Sequence, residues 1–159
     1  MEIHELFVTR WEKEQPAFAK VIRALPEGKL DWRPHERSTS GGDLAWQLVL
    51  EQRQLVDLVE SGETRWTPDP RPATAADIAD AWDAATSDLR GRLAQLDAAR
   101  AAAPAKLVFG GSEWSDSLNE MLWGYIFDMV HHRGQLSSYL RPMGAKVPAI
   151  YGPSGDSET

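Results

Sequence analysis

A chain of 159 residues with 42% hydrophobic content is long enough to bury one core and too short for two ordinary domains. It contains no cysteine, which excludes disulfides, thiolate metal sites and cysteine nucleophiles, so any metal must be held through nitrogen and oxygen. A formal net charge of −7 argues against a nucleic-acid partner, and no apolar run approaches the ~20 residues of a membrane span.

The opening MEIHELFVTRWEKEQ has neither the basic start nor the apolar stretch of a secretory signal, and a cytoplasmic location is expected. Residues 3–25 place Ile3, Leu6, Phe7, Phe18, Val21, Ile22 and Leu25 at helical spacing. This first helix should end at Pro26-Glu27-Gly28, with Pro16 a point at which it can kink. After the loop LDWRPHERSTSGG, Ser40 and Asp43 form a capping signal for a second helix, whose stripe of Leu44, Leu48, Leu55 and Leu58 runs to a stop at Ser61-Gly62. The segment TRWTPDPRPAT, with three prolines, reads as a loop. Thr74 and Asp77 then cap a third helix carrying Ile78, Trp82, Ala85, Leu89, Leu93 and Leu96.

Residues 99–114 contain Pro104, Gly110-Gly111 and a KLVF run too short to anchor a sheet, and read as a connector. From about Ser115 a long helix is expected to reach Met143, with Leu118, Leu122, Tyr125, Met129, His132, Leu136, Tyr139 and Met143 as its inner stripe. The chain then continues as an extended arm, so that residues 1–150 make one domain and 151–159 a disordered tail.

The chemistry concentrates in the last helix. Asp128 and His132 are four residues apart and share a helix face with Gln135. Because His132 also falls on the apolar stripe it should point inward, where a polar group needs a partner from another helix. Gln47, beside core-facing Leu44 and Leu48, is the best candidate, with Glu51 one turn further on. A carboxylate, an imidazole and an amide or second carboxylate together suit a divalent cation such as Zn, Ni, Mn or Fe. The same residues also read as a core polar network in which Asp128 orients His132 by a hydrogen bond. His131, one position off the stripe, reads as a surface or interface residue, and Arg133 as a loop cap or a partner for a carboxylate. Trp46, Trp82 and Trp123 are expected as core or dimer contacts, Trp32, Trp66 and Trp114 as loop residues able to roof a pocket, and His4 and His35 as exposed.

The run HHRGQ, a Leu-rich turn, an Arg-Pro-Met-Gly stop and a VPAIYG arm resemble the end of a DinB/YfiT-like protein, and RPHERSTSGGDLAWQLV resembles the start of that superfamily's second helix. The resemblance implies an all-α four-helix bundle with a divalent metal held by three histidines, one from the second helix and two from the last. Those positions fall on Gln47, Asp128 and His132, of which only one is histidine. The exchange leaves three arrangements: a rebuilt site that prefers harder cations, a bare pocket whose polar groups bond one another, or a site that borrows Glu51 or His131. The function implied is that of a small bacterial metal-dependent enzyme, such as a thiol-dependent S-transferase acting on a small molecule and a low-molecular-weight thiol. Glu51 and His132 are its acid–base candidates. The alternative is a metal-free, non-catalytic bundle that binds a small ligand or dimerises.

Overall fold

In the computed structural model, residues 1–157 are described; 158–159, the end of the expected tail, lie outside the described residues. Helix α1 spans Ile3–Arg23, starting at a capping box formed by Glu2 and Glu5 and running through Pro16. Ile3 and Leu6, expected on its buried stripe, are exposed, and the inward face is instead made by Phe7, Trp11, Phe18, Val21 and Ile22. Helix α2 spans Gly41–Ser61 and begins where the Ser40 hydroxyl accepts from the Asp43 backbone N–H. It stops at Gly62, whose φ of 83° lies in the left-handed region that glycine enters without strain. Two of its last carbonyls, those of Leu58 and Val59, accept from the Arg100 guanidinium at 2.8 and 3.1 Å. Helix α3 (Ala75–Leu93) is capped by Thr74, and the short α4 (Ala98–Ala102) by Asp97.

The stretch read as a connector is a hairpin, and an all-α description is corrected accordingly: the chain is mostly helical with a small sheet. Strand β1 (Glu63–Arg65) pairs in parallel with β2 (Pro104–Phe109), which pairs antiparallel with β3 (Ser112–Ser117). Gly110 and Gly111, both at positive φ (54° and 84°), make the two-residue turn that matches the twist of the flanking strands. Six residues of β2 are stable here because both edges of that strand are paired, which the KLVF run in isolation did not reveal. Ser115, expected in the last helix, lies in β3, so α5 spans Leu118–Leu140. Ser117 caps α5 by accepting from the Glu120 N–H at 3.2 Å. Ser117→Ala should cost about 1 kcal/mol and lower the unfolding midpoint by roughly 2–4 °C, measurable by thermal denaturation.

Helix α2 packs on α3 and α5, α1 also packs on α3 and α5, and the sheet sits against the C-terminal end of α2 and the N-terminal end of α5. The core between the four long helices is filled by Phe7, Trp11, Phe18, Leu44, Leu48, Ile78 and Trp82, each at most 1% exposed. At its centre Gln52 donates to Gln15 and Thr86 and accepts from Trp11 Nε1, so the buried amide is satisfied. Of the tail, Tyr151 bonds Glu14 and Arg133, and Asp156 accepts from Arg141 and from the Val147 N–H. Among the described residues, no helix is long and apolar enough to cross a membrane.

Candidate metal centre and its pocket

Helices α2 and α5 bring together the four residues singled out from the sequence. Gln47 and Glu51 lie one turn apart on α2, Asp128 and His132 one turn apart on α5, and the two pairs face each other. His132 Nε2 lies 2.7 Å from Gln47 Nε2, 3.4 Å from Asp128 Oδ2 and 3.6 Å from Glu51 Oε1, while Gln47 Nε2 donates to Glu51 Oε1 at 2.9 Å. Donor atoms of Glu51, Asp128 and His132 all fall within 4.8 Å of one another. His131 is exposed and is not part of this cluster. Gln135, expected on the same line, turns to donate to Tyr139 Oη.

The inner stripe of α5 departs from the expected one at two positions: Leu118, Leu122, Met129, Leu136, Tyr139 and Met143 are buried as expected, and Ile126 and Arg133 stand inside in place of Tyr125 and His132. Leu122, Ile126, Met129, Arg133, Leu136 and Leu140 are buried, whereas His132 is half-buried at the edge between α2 and α5. Arg133 takes the core position because its charge is matched there: its Nη1 meets Glu14 at 2.5 Å and its guanidinium lies 4.6 Å above the Phe18 ring.

Burial sets the electrostatics. Glu51 is 3% exposed, and loss of hydration pushes its carboxyl up to about 8. The hydrogen bond from Gln47 works against that rise and the nearby Asp128 charge adds to it. Glu51 Oε2 is buried without any hydrogen-bond partner, as is His132 Nδ1. With Gln47 as the donor, His132 Nε2 must act as an acceptor, so a lone pair of the imidazole and the free oxygen of Glu51 both belong to the same small cluster. Tyr125 donates to Gln54 at 3.2 Å, and burial followed by the Glu51 and Asp128 charges raises its phenol above the usual range.

The cluster forms the polar end of a pocket of about 550 Å³, within the range typical of small-molecule sites. Gln47, Glu51, Gln54 and Asp128 meet there with Met121 and Tyr125 of α5, Trp66 just past β1, and Leu107, Phe109 and Trp114 of the hairpin. Trp66 and Trp114 thus line the pocket, Trp114 from strand β3 and not from the loop expected for it, while Trp32 instead packs on Tyr139. Trp46 and Trp82 are buried and Trp123 packs edge-on against Phe7, half-buried. His35 is exposed and His4 is half-buried. Leu107 and Phe109 went unread as pocket residues, and the signal that locates them is the Gly110-Gly111 pair between the apolar KLVF run and the short SEWSDS run that carries Trp114.

The sequence matches the DinB family over residues 1–158. The chain belongs to the DinB family. It is 26% identical over 149 residues to the uncharacterised protein YrdA of Bacillus subtilis, covering 93% of this chain and 87% of that one. Its fold is shared with a DinB-like protein of Bacillus cereus, at a TM-score of 0.74 and 23% identity, over 92% of this chain and 97% of the other. It is shared also with the DinB-like protein YjoA of B. subtilis, at a TM-score of 0.72 and 14% identity, over 93% and 99% of the two chains. Within this DinB chain, an amide, a carboxylate and an imidazole (Gln47, Asp128 and His132) stand where the resemblance implied three imidazoles, with Glu51 one turn from Gln47.

Proposed function

We propose that this DinB-family protein is a cytoplasmic, divalent-cation-dependent enzyme that joins a small electrophile to a low-molecular-weight thiol. The observation that carries the reading is the convergence of Glu51, Asp128 and His132 donor atoms at the polar end of the pocket. The residues fit such a cation. The paired carboxylates match its charge, the unpartnered Glu51 Oε2 and the Nε2 lone pair of His132 supply ligand atoms, and rotation of the Gln47 amide would present its oxygen. Two oxygens and one imidazole nitrogen shift the preference among Zn, Ni, Mn and Fe toward the harder Mn and Fe. A cation held there lowers the proton affinity of a thiol or water that joins it. Because the chain contains no cysteine, that thiol comes from a cosubstrate. With Glu51 Oε2 engaged by the cation, the proton that the thiol gives up leaves to solvent at the open side of the pocket, where Asp128 is exposed.

Calorimetric titration of tag-free protein with Mn or Zn tests this directly. One cation per chain is expected, with affinity falling roughly 100-fold or more in Asp128→Ala/His132→Ala. Absence of binding for Zn, Ni, Mn and Fe alike would overturn it.

One observation favours a second reading. The Gln47 amide donates to both Glu51 and His132, closing a polar network that holds together without an ion. In that case the chain is a metal-free bundle whose pocket binds a small ligand, and the same titration separates the two.

A further inference from the structure

Trp66, Phe109 and Trp114 form one continuous aromatic wall, with ring centroids 6.2 Å apart across the first pair and 6.4 Å across the second. Phe109 and Trp114 leave 48% and 49% of their surface in water, an arrangement that favours a ligand able to cover them. Glu51 and Asp128 line the same pocket, and among the described residues no lysine or arginine lines it. Their nearest basic atom is His132 Nε2, at 3.6 and 3.4 Å, which faces them as an acceptor, and among the described ion pairs neither meets a Lys or Arg. Glu51 Oε2 is moreover buried and lacks a donor. An anion entering here meets the Asp128 carboxylate, the buried Glu51 carboxyl and no cationic side chain. A positively charged N–H donor meets free acceptors and the negative faces of three rings.

We propose that the pocket receives a flat aromatic molecule bearing an amine, its ring against Trp66, Phe109 and Trp114 and its ammonium directed to Glu51 and Asp128. The proposal names a ligand class. It rests on the metal-free reading of this pocket, since a divalent cation held by Glu51 and Asp128 would occupy the groups that receive the ammonium.

The test is calorimetric binding of three probes of equal size to the full chain in chelator at low ionic strength: naphthylmethylammonium, naphthylmethanol and naphthoate. The ammonium should bind about ten-fold or more tighter than the carboxylate, with the alcohol between them. Asp128→Asn should bring the ammonium and the alcohol to near parity. Trp114→Ala, on the exposed hairpin, should weaken both by roughly ten-fold, and Phe109→Leu serves as a milder second variant. Naphthoate binding as tightly as the ammonium, or an ammonium preference that survives Asp128→Asn, would overturn the proposal. Titrating the same protein with Mn keeps the two readings apart. If the probe order holds and Mn does not bind, only the cation reading fails; if Mn binds and naphthoate is preferred, only the amine proposal fails.

Discussion

In metal-free protein, Glu51→Gln should be more stable than the parent, and its advantage should grow as the pH rises. The parent carboxyl sits at about 8 in the folded chain against an ordinary value of 4.5, so between those values the folded state holds a proton that the unfolded state has released. A raised acid of this kind leaves stability intact below about 4.5 and removes it progressively as the pH climbs toward about 8. The slope is on the order of 1.4 kcal/mol per pH unit, a few kcal/mol in all, since a residue so buried has little solvent to screen it. The variant keeps an amide oxygen to accept from Gln47 and has no charge to desolvate. Thermal unfolding in chelator should find the two proteins alike near pH 4.5 and the variant ahead by something like 10 °C at pH 8. Adding Mn at pH 8 should reverse the order, because the cation repays the burial of the parent carboxylate and finds a poorer ligand in the amide. A variant no more stable than the parent at pH 8 would mean that Glu51 is hydrated in solution. Sites of this kind sacrifice stability for chemistry.

Arg133→Ala carries the other large effect, with the opposite sign. The side chain is 2% exposed; besides the 2.5 Å contact with Glu14 and the face of Phe18, its Nη2 reaches the Tyr151 hydroxyl at 2.5 Å. Truncation removes the cation, opens a cavity and leaves the Glu14 carboxylate with only the Tyr151 hydroxyl at 2.8 Å. Breaking a buried pair in this way costs about 3–5 kcal/mol, and the residual 17% exposure of Glu14 places the loss near the lower figure. The midpoint should fall by roughly 10 °C in thermal denaturation. Arg133→Met combined with Glu14→Gln should recover much of that, because the double change fills the space and removes both charges. Tyr151 loses its anchor in the single variant, so the chain around it should be cut faster by a protease. An Arg133→Ala midpoint within a degree of the parent would show that the pair contributes nothing.

Helix existence was legible because it depends on local signals. Ser40, Thr74 and the Gly62 stop occur where a linear reading places them, since a cap requires only its own neighbours. The inner face of α5 was legible except at two positions. Leu118, Leu122, Met129, Leu136, Tyr139 and Met143 belong to both the expected and the observed stripes, and the choice between His132 and Arg133 as the inner residue depends on Glu14, 119 positions away in sequence. The sheet was illegible for the same reason: β1 is three residues long and gains its partner only when Lys106 donates to the Gly62 carbonyl at 2.8 Å. The candidate site fared better. Gln47, Glu51, Asp128 and His132 were singled out from spacing and resemblance and are brought together. Of the aromatic wall, Trp66 and Trp114 were singled out as residues able to roof a pocket, and Phe109 escaped notice with the hairpin that carries it.

That hairpin has a bearing on how such a protein changes over time. The polar end of the pocket is borne by α2 and α5, whose inner faces also hold the core, so substitutions there threaten the whole molecule. The aromatic wall hangs from two short strands and a glycine turn at the periphery, with Phe109 and Trp114 half in water. Floor and wall are therefore free to drift at different rates: a lineage can rewrite what the pocket accepts by editing one ribbon, while the groups beneath it and the keel of the fold stay as they were.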